Sequence, residues 1–225
     1  MRRILKDNGL SIVLVLLFVL TLFGHSIAGR LQYNEEQRDH GGVEASYGSY
    51  LVTGHFVESV FENWESEFFQ MGLYVYLTVF LVQRGSAESR KPADETEGKP
   101  EDIDENPAKH RNDPGAPGPV RRGGWLMHLY ANSLSLAFLL LFLLSFIGHA
   151  LGGAVEYNAE LLQHGQPAVS TLSYFTSSTF WFESLQNWQS EFLAVLGIVV
   201  LSIFLRQKGS PESKPVHAPH SQTGE

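Results

Sequence analysis

The stretch that decides the fold is Gly9–Ala28, GLSIVLVLLFVLTLFGHSIA, which contains no Asp, Glu, Lys or Arg. A helix needs about 20 apolar residues to cross about 30 Å of hydrocarbon, and this stretch has that length. Asn132–Leu151, NSLSLAFLLLFLLSFIGHAL, has the same property. Two shorter apolar blocks, Phe68–Val82 and Phe192–Leu205, would each span only about 22 Å as helices, so we expect their helices to begin earlier. The pattern predicts an all-α membrane protein with four transmembrane helices.

The two halves of the chain repeat one another. Shifting the sequence by 124 positions aligns residues 8–89 with 132–213 without a gap, and 33 of the 82 aligned residues are identical. In this alignment NWESEF at 63–68 matches NWQSEF at 187–192, and each hexamer stands directly before one of the two shorter apolar blocks. We interpret the chain as a tandem duplication of a two-helix unit. The first apolar block also resembles a secretory signal peptide, but its internal copy cannot be one, which favours a retained helix.

The positions of lysine and arginine predict the orientation in the membrane. The outer loops are poor in basic residues: 153–191 has none, and 29–67 has only Arg30 and Arg38. Basic residues flank the other ends of the apolar blocks: Arg2, Arg3, Lys6, Arg84, Arg90, Lys91, Arg121, Arg122, Arg206, Lys208 and Lys214. Because cytoplasmic loops carry the excess of Lys and Arg, we expect both termini and the central linker in the cytoplasm. Both outer loops are acidic.

The domain organisation follows from the repeat. We expect a first two-helix membrane repeat at 1–90 and a second at 124–214. The linker at 91–123 is rich in Pro, Gly, Glu and Asp and has few large apolar residues, so we predict that it is disordered and cytoplasmic. The tail at 215–225 is expected to be disordered as well.

The composition excludes several classes of protein. The formal net charge is −8 and cysteine is absent, so the chain has no disulfide, thiolate ligand or cysteine nucleophile. An acidic chain offers no basic face for nucleic acid. The sequence shows no glycine-rich phosphate loop, nucleophile elbow or metalloprotease helix. We therefore predict neither an enzyme nor a cofactor.

Each repeat places an imidazole and a carboxylate near the outer end of its apolar helices. The candidate pairs are His25 with Glu67 and His149 with Glu191. Ionisable groups within a membrane are costly and usually find each other, so a functional role is a legitimate hypothesis. The alternative is structural, because a carboxylate one turn from the interface can reach water. In that interpretation Trp64 and Trp188 are interfacial anchors, and Asn63 and Asn187 bond to neighbouring helices.

Two metal interpretations remain open as alternatives. Glu36 and His40 are spaced i, i+4, as are Glu160 and His164, and each pair could present two ligands for zinc or a similar ion. Two ligands make an incomplete site, and a loop cap or solvated turn before the following glycine explains the same residues. A haem held by His25 and His149 from two helices is the second alternative. We predict no metal.

The run LQNWQSEFLAVLGIVVLSIFLRQKGSPESKPV, with GH and YN upstream in each half, resembles a bacterial family of duplicated membrane proteins known only as a domain of unknown function. The resemblance covers both repeats and excludes the linker. It implies a bacterial integral membrane protein and carries over no catalytic residue. We expect a multi-pass protein of the bacterial cytoplasmic membrane. The first copy departs mildly, with FLVQRGSAESRKP.

Three classes of function follow from these expectations. The first is a membrane protein that binds a partner or organises the envelope through its acidic outer loops. The second is a small proton or ion channel or transporter that uses His25, Glu67, His149 and Glu191. The third is a haem- or metal-binding redox protein. The expected partners are the lipid bilayer and an unknown protein, with a homo-oligomer as an open alternative.

Overall fold

The computed structural model of the chain describes residues 6–96 and 106–224. Within these ranges the regular elements are helices, and no strand occurs. The α-helices in chain order are α1 (Gly9–Asp39), α2 (Tyr47–Tyr50), α3 (Gly54–Phe80), α4 (Ala93–Thr96), α5 (Gly118–Arg122), α6 (Gly124–Ala131), α7 (Ser133–Gln163), α8 (Thr171–Phe175) and α9 (Ser178–Phe204). The prediction of an all-α protein is confirmed for these residues.

Three of the described helices, α1, α7 and α9, are long and apolar enough to cross a membrane. Helix α3 occupies the place of the remaining predicted crossing, but it carries four glutamates, at 58, 62, 65 and 67, and is not among the three. Both α3 and α9 begin nine residues before their hexamers, at Gly54 and Ser178, so the shorter apolar blocks do extend backwards as helices. The crossing by α3 stays a prediction.

Helices α1 and α7 run well past their apolar blocks and end at equivalent positions of the repeat, Asp39 and Gln163. Two residues further on, Gly41 and Gly165 have φ values of 70° and 69°. These left-handed conformations favour glycine, since a Cβ atom would be strained there. The repeated HG dipeptide therefore marks the end of each long helix.

The predicted linker lies partly outside the described residues, which omit 97–105. The described parts of the linker contain α4, a 3₁₀ turn at Pro107–His110, and α5. The tail also makes specific contacts: the Thr223 hydroxyl accepts a hydrogen bond from the Gly85 N–H at 2.9 Å. The Lys214 ammonium donates to the carbonyl oxygens of His220 and Gln222 at 3.0 and 2.9 Å. Disorder of the linker stays a prediction.

The chain forms two compact units, and each draws on both repeats. The first unit comprises 1–62 and 146–182, and the second comprises 63–145 and 183–225. The units therefore differ from the sequence repeats at 1–90 and 124–214, because packing between the halves places residues of both in each unit.

In the first unit, an asparagine on each long helix holds the loop that follows it. Asn34 accepts a hydrogen bond from the Ala45 N–H at 2.7 Å and donates to the Ala45 carbonyl at 3.1 Å. Asn158 makes the same two bonds with Val169, at 2.7 and 2.9 Å. We call these pairs the asparagine clamps. They fix the loop immediately before α2 and α8.

The first unit also contains a close crossing of α7 and α3. A Cβ atom at Gly152 would lie 2.7 Å from the backbone nitrogen of Glu58, and one at Gly54 would lie 2.6 Å from that of Glu156. A Cβ atom at Gly148 would lie 2.5 Å from the Phe61 ring. Such close approach is typical of small-residue faces on membrane helices.

Within the second unit, aromatic rings pack between α3, α7 and α9. The Phe69 ring lies 4.6 Å from Trp188, 5.0 Å from Phe142 and 5.7 Å from Phe192, measured between ring centroids. At the far end of the unit the Ser86 and Ser202 hydroxyls are 2.9 Å apart. The packing joins both repeats inside this unit.

We predict that Asn34→Ala lowers the free energy of unfolding by about 1–3 kcal/mol. The substitution removes both clamp bonds of a side chain that is only 4% exposed and leaves the Ala45 N–H without this acceptor. Unfolding in mild detergent, followed by circular dichroism, measures the loss. The control is Gln163→Ala at the exposed end of α7, expected within about 0.5 kcal/mol of wild type. Equal stability of the two variants would contradict a structural role for the clamp.

Candidate functional site

The two repeated histidines both lie in the first unit. His25 of α1 packs against α3, and His149 of α7 packs against α9. The His25 Nε2 atom lies 3.3 Å from the Ser59 hydroxyl, and its ring lies 5.8 Å from Phe56. His149 is fully buried and its ring stacks on Phe180 at 4.6 Å. Phe56 and Phe180 are equivalent in the repeat, so each histidine packs on the same phenylalanine position.

Glu58 is a carboxylate beside His149 that no sequence pattern predicts. A carboxylate oxygen of Glu58 and a ring nitrogen of His149 lie within 4.8 Å of each other. The Tyr174 hydroxyl donates a hydrogen bond to the same carboxylate at 3.1 Å. An imidazole and a carboxylate at this distance are close enough to interact electrostatically. Glu58 was missed because its repeat equivalent is Phe182, so no repeated pattern marked it.

A second polar group in the first unit surrounds Tyr50. The hydroxyl of this fully buried tyrosine lies 3.1 Å from His55 Nδ1, and a Cβ atom at Gly29 would collide with it. Burial raises the pKa of Tyr50 to about 12. Burial also lowers the pKa of His55, against the opposing effect of the Glu36 carboxylate. Burial therefore disfavours the charged form of each group.

The two candidate carboxylates Glu67 and Glu191 belong to the second unit, whereas His25 and His149 belong to the first. Glu67 is exposed, and Glu191 is partly buried with its backbone carbonyl accepting a hydrogen bond from Gln70 Nε2 at 2.8 Å. The fully buried carboxylate of the hexamer is Glu65, which accepts a hydrogen bond from the Trp188 indole at 3.3 Å. The repeat pattern favoured Glu67, because Glu65 aligns with Gln189.

The four predicted anchors have different surroundings. The Trp188 indole bonds to Glu65 and stacks on Phe69, so its ring packs against protein atoms in the second unit. Trp64 and Asn187 are partly buried, and Asn63 is exposed. The backbone carbonyls of Asn63 and Asn187 accept hydrogen bonds from Ser66 and Ser190, both at 2.8 Å.

The weak metal candidates lie at the exposed ends of α1 and α7. His40 Nδ1 lies 2.9 Å from the Glu36 carbonyl oxygen, and His164 Nδ1 lies 2.8 Å from the Glu160 carbonyl oxygen. Each imidazole thus bonds to the backbone of the last helical turn. This geometry agrees with the loop-cap interpretation of these residues.

The exposed face of the first unit beyond the apolar blocks is acidic. Glu35, Glu36 and Asp39 are exposed on the last turns of α1, and Glu160 is exposed on α7. Arg38 on the same turns pairs with Glu44 at 2.9 Å, which neutralises one carboxylate. The asparagine clamps hold the loops next to these side chains. We call Glu35, Glu36, Asp39 and Glu160 the acidic surface.

In the second unit, two glutamates that are equivalent in the repeat meet. The Glu88 and Glu212 carboxyl groups are close enough to interact electrostatically, and the Tyr74 hydroxyl lies 3.4 Å from Glu88. Burial, followed by the charge of Glu212, raises the pKa of Glu88. The two glutamates belong to the repeated GSxES motif. A repeated motif by itself does not predict that its two copies lie together.

These features define a chain that is helical in its described residues, with three apolar helices long enough to cross a membrane and polar groups packed beside helix ends. The chain belongs to the family described as Domain of unknown function (DUF6766), which matches residues 1–225. The predicted membership of a family of unknown function is confirmed, while its bacterial origin stays a prediction. No curated protein and no solved structure matches the chain significantly.

We predict that Glu65→Ala destabilises the protein by about 1–3 kcal/mol, because it leaves the Trp188 indole without the Glu65 acceptor. Glu67→Ala, two residues away and exposed, should change stability by no more than about 0.5 kcal/mol. Thermal unfolding in mild detergent, monitored by tryptophan fluorescence, compares the two. A larger loss for Glu67→Ala would reverse this assignment.

Proposed function

We propose that the protein is a multi-pass membrane protein that binds a basic protein segment through the acidic surface at the outer ends of its long helices. It crosses a bacterial cytoplasmic membrane four times, by α1, α3, α7 and α9, as a duplicated two-helix unit with both termini in the cytoplasm. Three apolar helices of sufficient length support the membrane location. The distribution of Lys and Arg supports the orientation.

The observation that carries the binding proposal is the pair of asparagine clamps beside exposed acidic helix ends. The clamps use the same two hydrogen bonds in each repeat, which keeps the loops ordered next to the acidic side chains. An ordered surface loses less conformational entropy on binding than a flexible loop does. A field of one sign also steers a partner of opposite charge. A basic segment is therefore the partner that this surface fits.

The orientation is tested by reporter fusions at Ala93 and Gln166. We expect alkaline phosphatase to be active only at Gln166 and a cytoplasmic fluorescent reporter to be active only at Ala93. The position of Ala93 also decides whether α3 crosses, because without that crossing Ala93 would follow α1 onto the outer side. An exported Ala93 would overturn the topology and the fourth crossing together.

The binding proposal is tested with a fluorescent oligolysine peptide and the protein in phosphatidylcholine nanodiscs. We expect binding that weakens with salt, because exposed charges are screened over about 10 Å at 0.1 M. Neutralising the acidic surface (Glu35→Gln, Glu36→Gln, Asp39→Asn, Glu160→Gln) should weaken binding about tenfold, at roughly 0.4 kcal/mol per charge. Fluorescence anisotropy measures both effects.

The control has the same change in net charge but lies in the linker: Glu101→Gln, Asp102→Asn, Asp104→Asn and Glu105→Gln. It should retain the wild-type affinity. If the linker variant loses as much affinity as the acidic-surface variant, binding follows net charge alone and the proposal fails. A second variant, Asn34→Ala, should weaken the binding of the peptide without any change in net charge, because it loosens the clamped loop.

A further inference from the structure

The chain directly before α7 folds into a small packed segment within the second unit. The 3₁₀ turn at Pro107–His110, α5 and α6 all contact one another. Val120 of α5 and Met127 of α6 are buried. We call residues 107–131 the juxtamembrane segment, because they lead into α7, a helix long and apolar enough to cross a membrane.

Positive charge is concentrated in the juxtamembrane segment, although the whole chain is acidic. The segment contains four Lys or Arg residues and one acidic residue. A Cβ atom at Gly123 would collide with the Arg111 guanidinium, so this group lies over the joint between α5 and α6. Arg121 and Arg122 form the end of α5, directly before that joint. We call Arg111, Arg121 and Arg122 the arginine cluster.

The arginine cluster is available to a partner. All three side chains are exposed, and the described part of the chain contains no ion pair from them to a carboxylate. The acidic residue of the segment, Asp113, pairs instead with His110 at 2.6 Å. Guanidinium groups bind phosphate oxygens through paired hydrogen bonds and lose less hydration than an ammonium group does. A partner that carries phosphate therefore fits this cluster.

The outward face of α6 is apolar and aromatic. Trp125 and Leu129 are four residues apart, so they lie on one side of the helix, and they are 71% and 48% exposed. The buried Met127 lies on the opposite side. Tryptophan and leucine beside basic side chains are typical of helices that lie at the interface between hydrocarbon and water.

The length of α6 keeps this face close to the bilayer. Helix α6 ends at Ala131, and α7 begins at Ser133. At 1.5 Å per residue, Trp125 lies about 12 Å from the first residue of α7. The headgroup region of each leaflet is about 5–8 Å thick, so a side chain of this length can reach it.

We propose that the juxtamembrane segment binds the headgroups of anionic phospholipids in the surrounding membrane. The arginine cluster pairs with their phosphates, while Trp125 and Leu129 enter the interface. Charge complementarity selects an anionic lipid, because a zwitterionic headgroup has no net charge to attract three guanidinium groups, and basic side chains beside a membrane helix are drawn to an anionic leaflet. The acidic surface belongs to the first unit and takes no part in this binding.

Fluorescence quenching by lipid tests the proposal. Because the chain contains no cysteine, Leu129→Cys provides a single site for a bimane label. The labelled protein is placed in nanodiscs of phosphatidylcholine, with or without phosphatidylglycerol, that contain a lipid with a nitroxide near its headgroup. We expect phosphatidylglycerol to increase quenching about twofold, because it attracts the arginine cluster. Salt at 1 M shortens the screening distance from about 10 Å to about 3 Å and should remove the increase.

Two matched variants of the labelled chain separate the cluster from net charge. The first neutralises the arginine cluster: Arg111→Gln, Arg121→Gln and Arg122→Gln. The second neutralises three exposed basic residues elsewhere: Lys6→Gln, Arg90→Gln and Lys208→Gln. We expect the first variant to lose the increase in quenching and the second to keep it. An equal loss in both variants would overturn the proposal.

Two results with the labelled wild-type sequence would also reject it. Equal quenching with and without phosphatidylglycerol would mean that α6 reaches the interface without any preference for anionic headgroups. No quenching in either kind of nanodisc would mean that the segment lies away from the bilayer, and would leave an acidic protein as the partner of the arginine cluster.

Discussion

The close approach of α7 to α3 at Gly152 is the constraint on which the packing of the first unit depends. Only a residue without a side chain lets the Glu58 backbone come this near, and any Cβ atom there would lie 2.7 Å from its nitrogen. The same approach places Glu58 beside His149 and under the Tyr174 hydroxyl. A packing requirement thus also brings these polar side chains together.

The two repeats keep the same local devices and differ in their longer-range contacts. Asparagine clamps, serine caps at Ser46 and Ser170, and positive-φ glycines recur at equivalent positions. These devices involve residues close in sequence, so each copy can build them alone. The glycine crossing instead joins the halves, and there the equivalents have diverged: Gly54 aligns with Ser178 and Glu58 with Phe182.

Several polar groups near the helix ends are satisfied by the protein itself. The buried Glu65 carboxylate receives the Trp188 indole N–H, and the His25 imidazole meets the Ser59 hydroxyl. Since an unpaired buried polar group costs about 1–3 kcal/mol, these pairings stabilise the packing of helices that carry charge close to apolar surface. The exposed carboxylates on α1 and α7 face solvent.

The sequence by itself determined the helical class and the long apolar stretches, because these follow from local composition and length. It did not place the helix ends, since α1 and α7 run well past their apolar blocks to Asp39 and Gln163. It also marked His25, His149 and the hexamers as positions of interest. It could not identify Glu58 or Glu65 as the buried carboxylates, since their repeat equivalents are Phe182 and Gln189. Only the tertiary structure decided that, because burial and hydrogen-bond partners depend on which helices come within a few ångströms, and that distance is set by side-chain size at crossings such as Gly152.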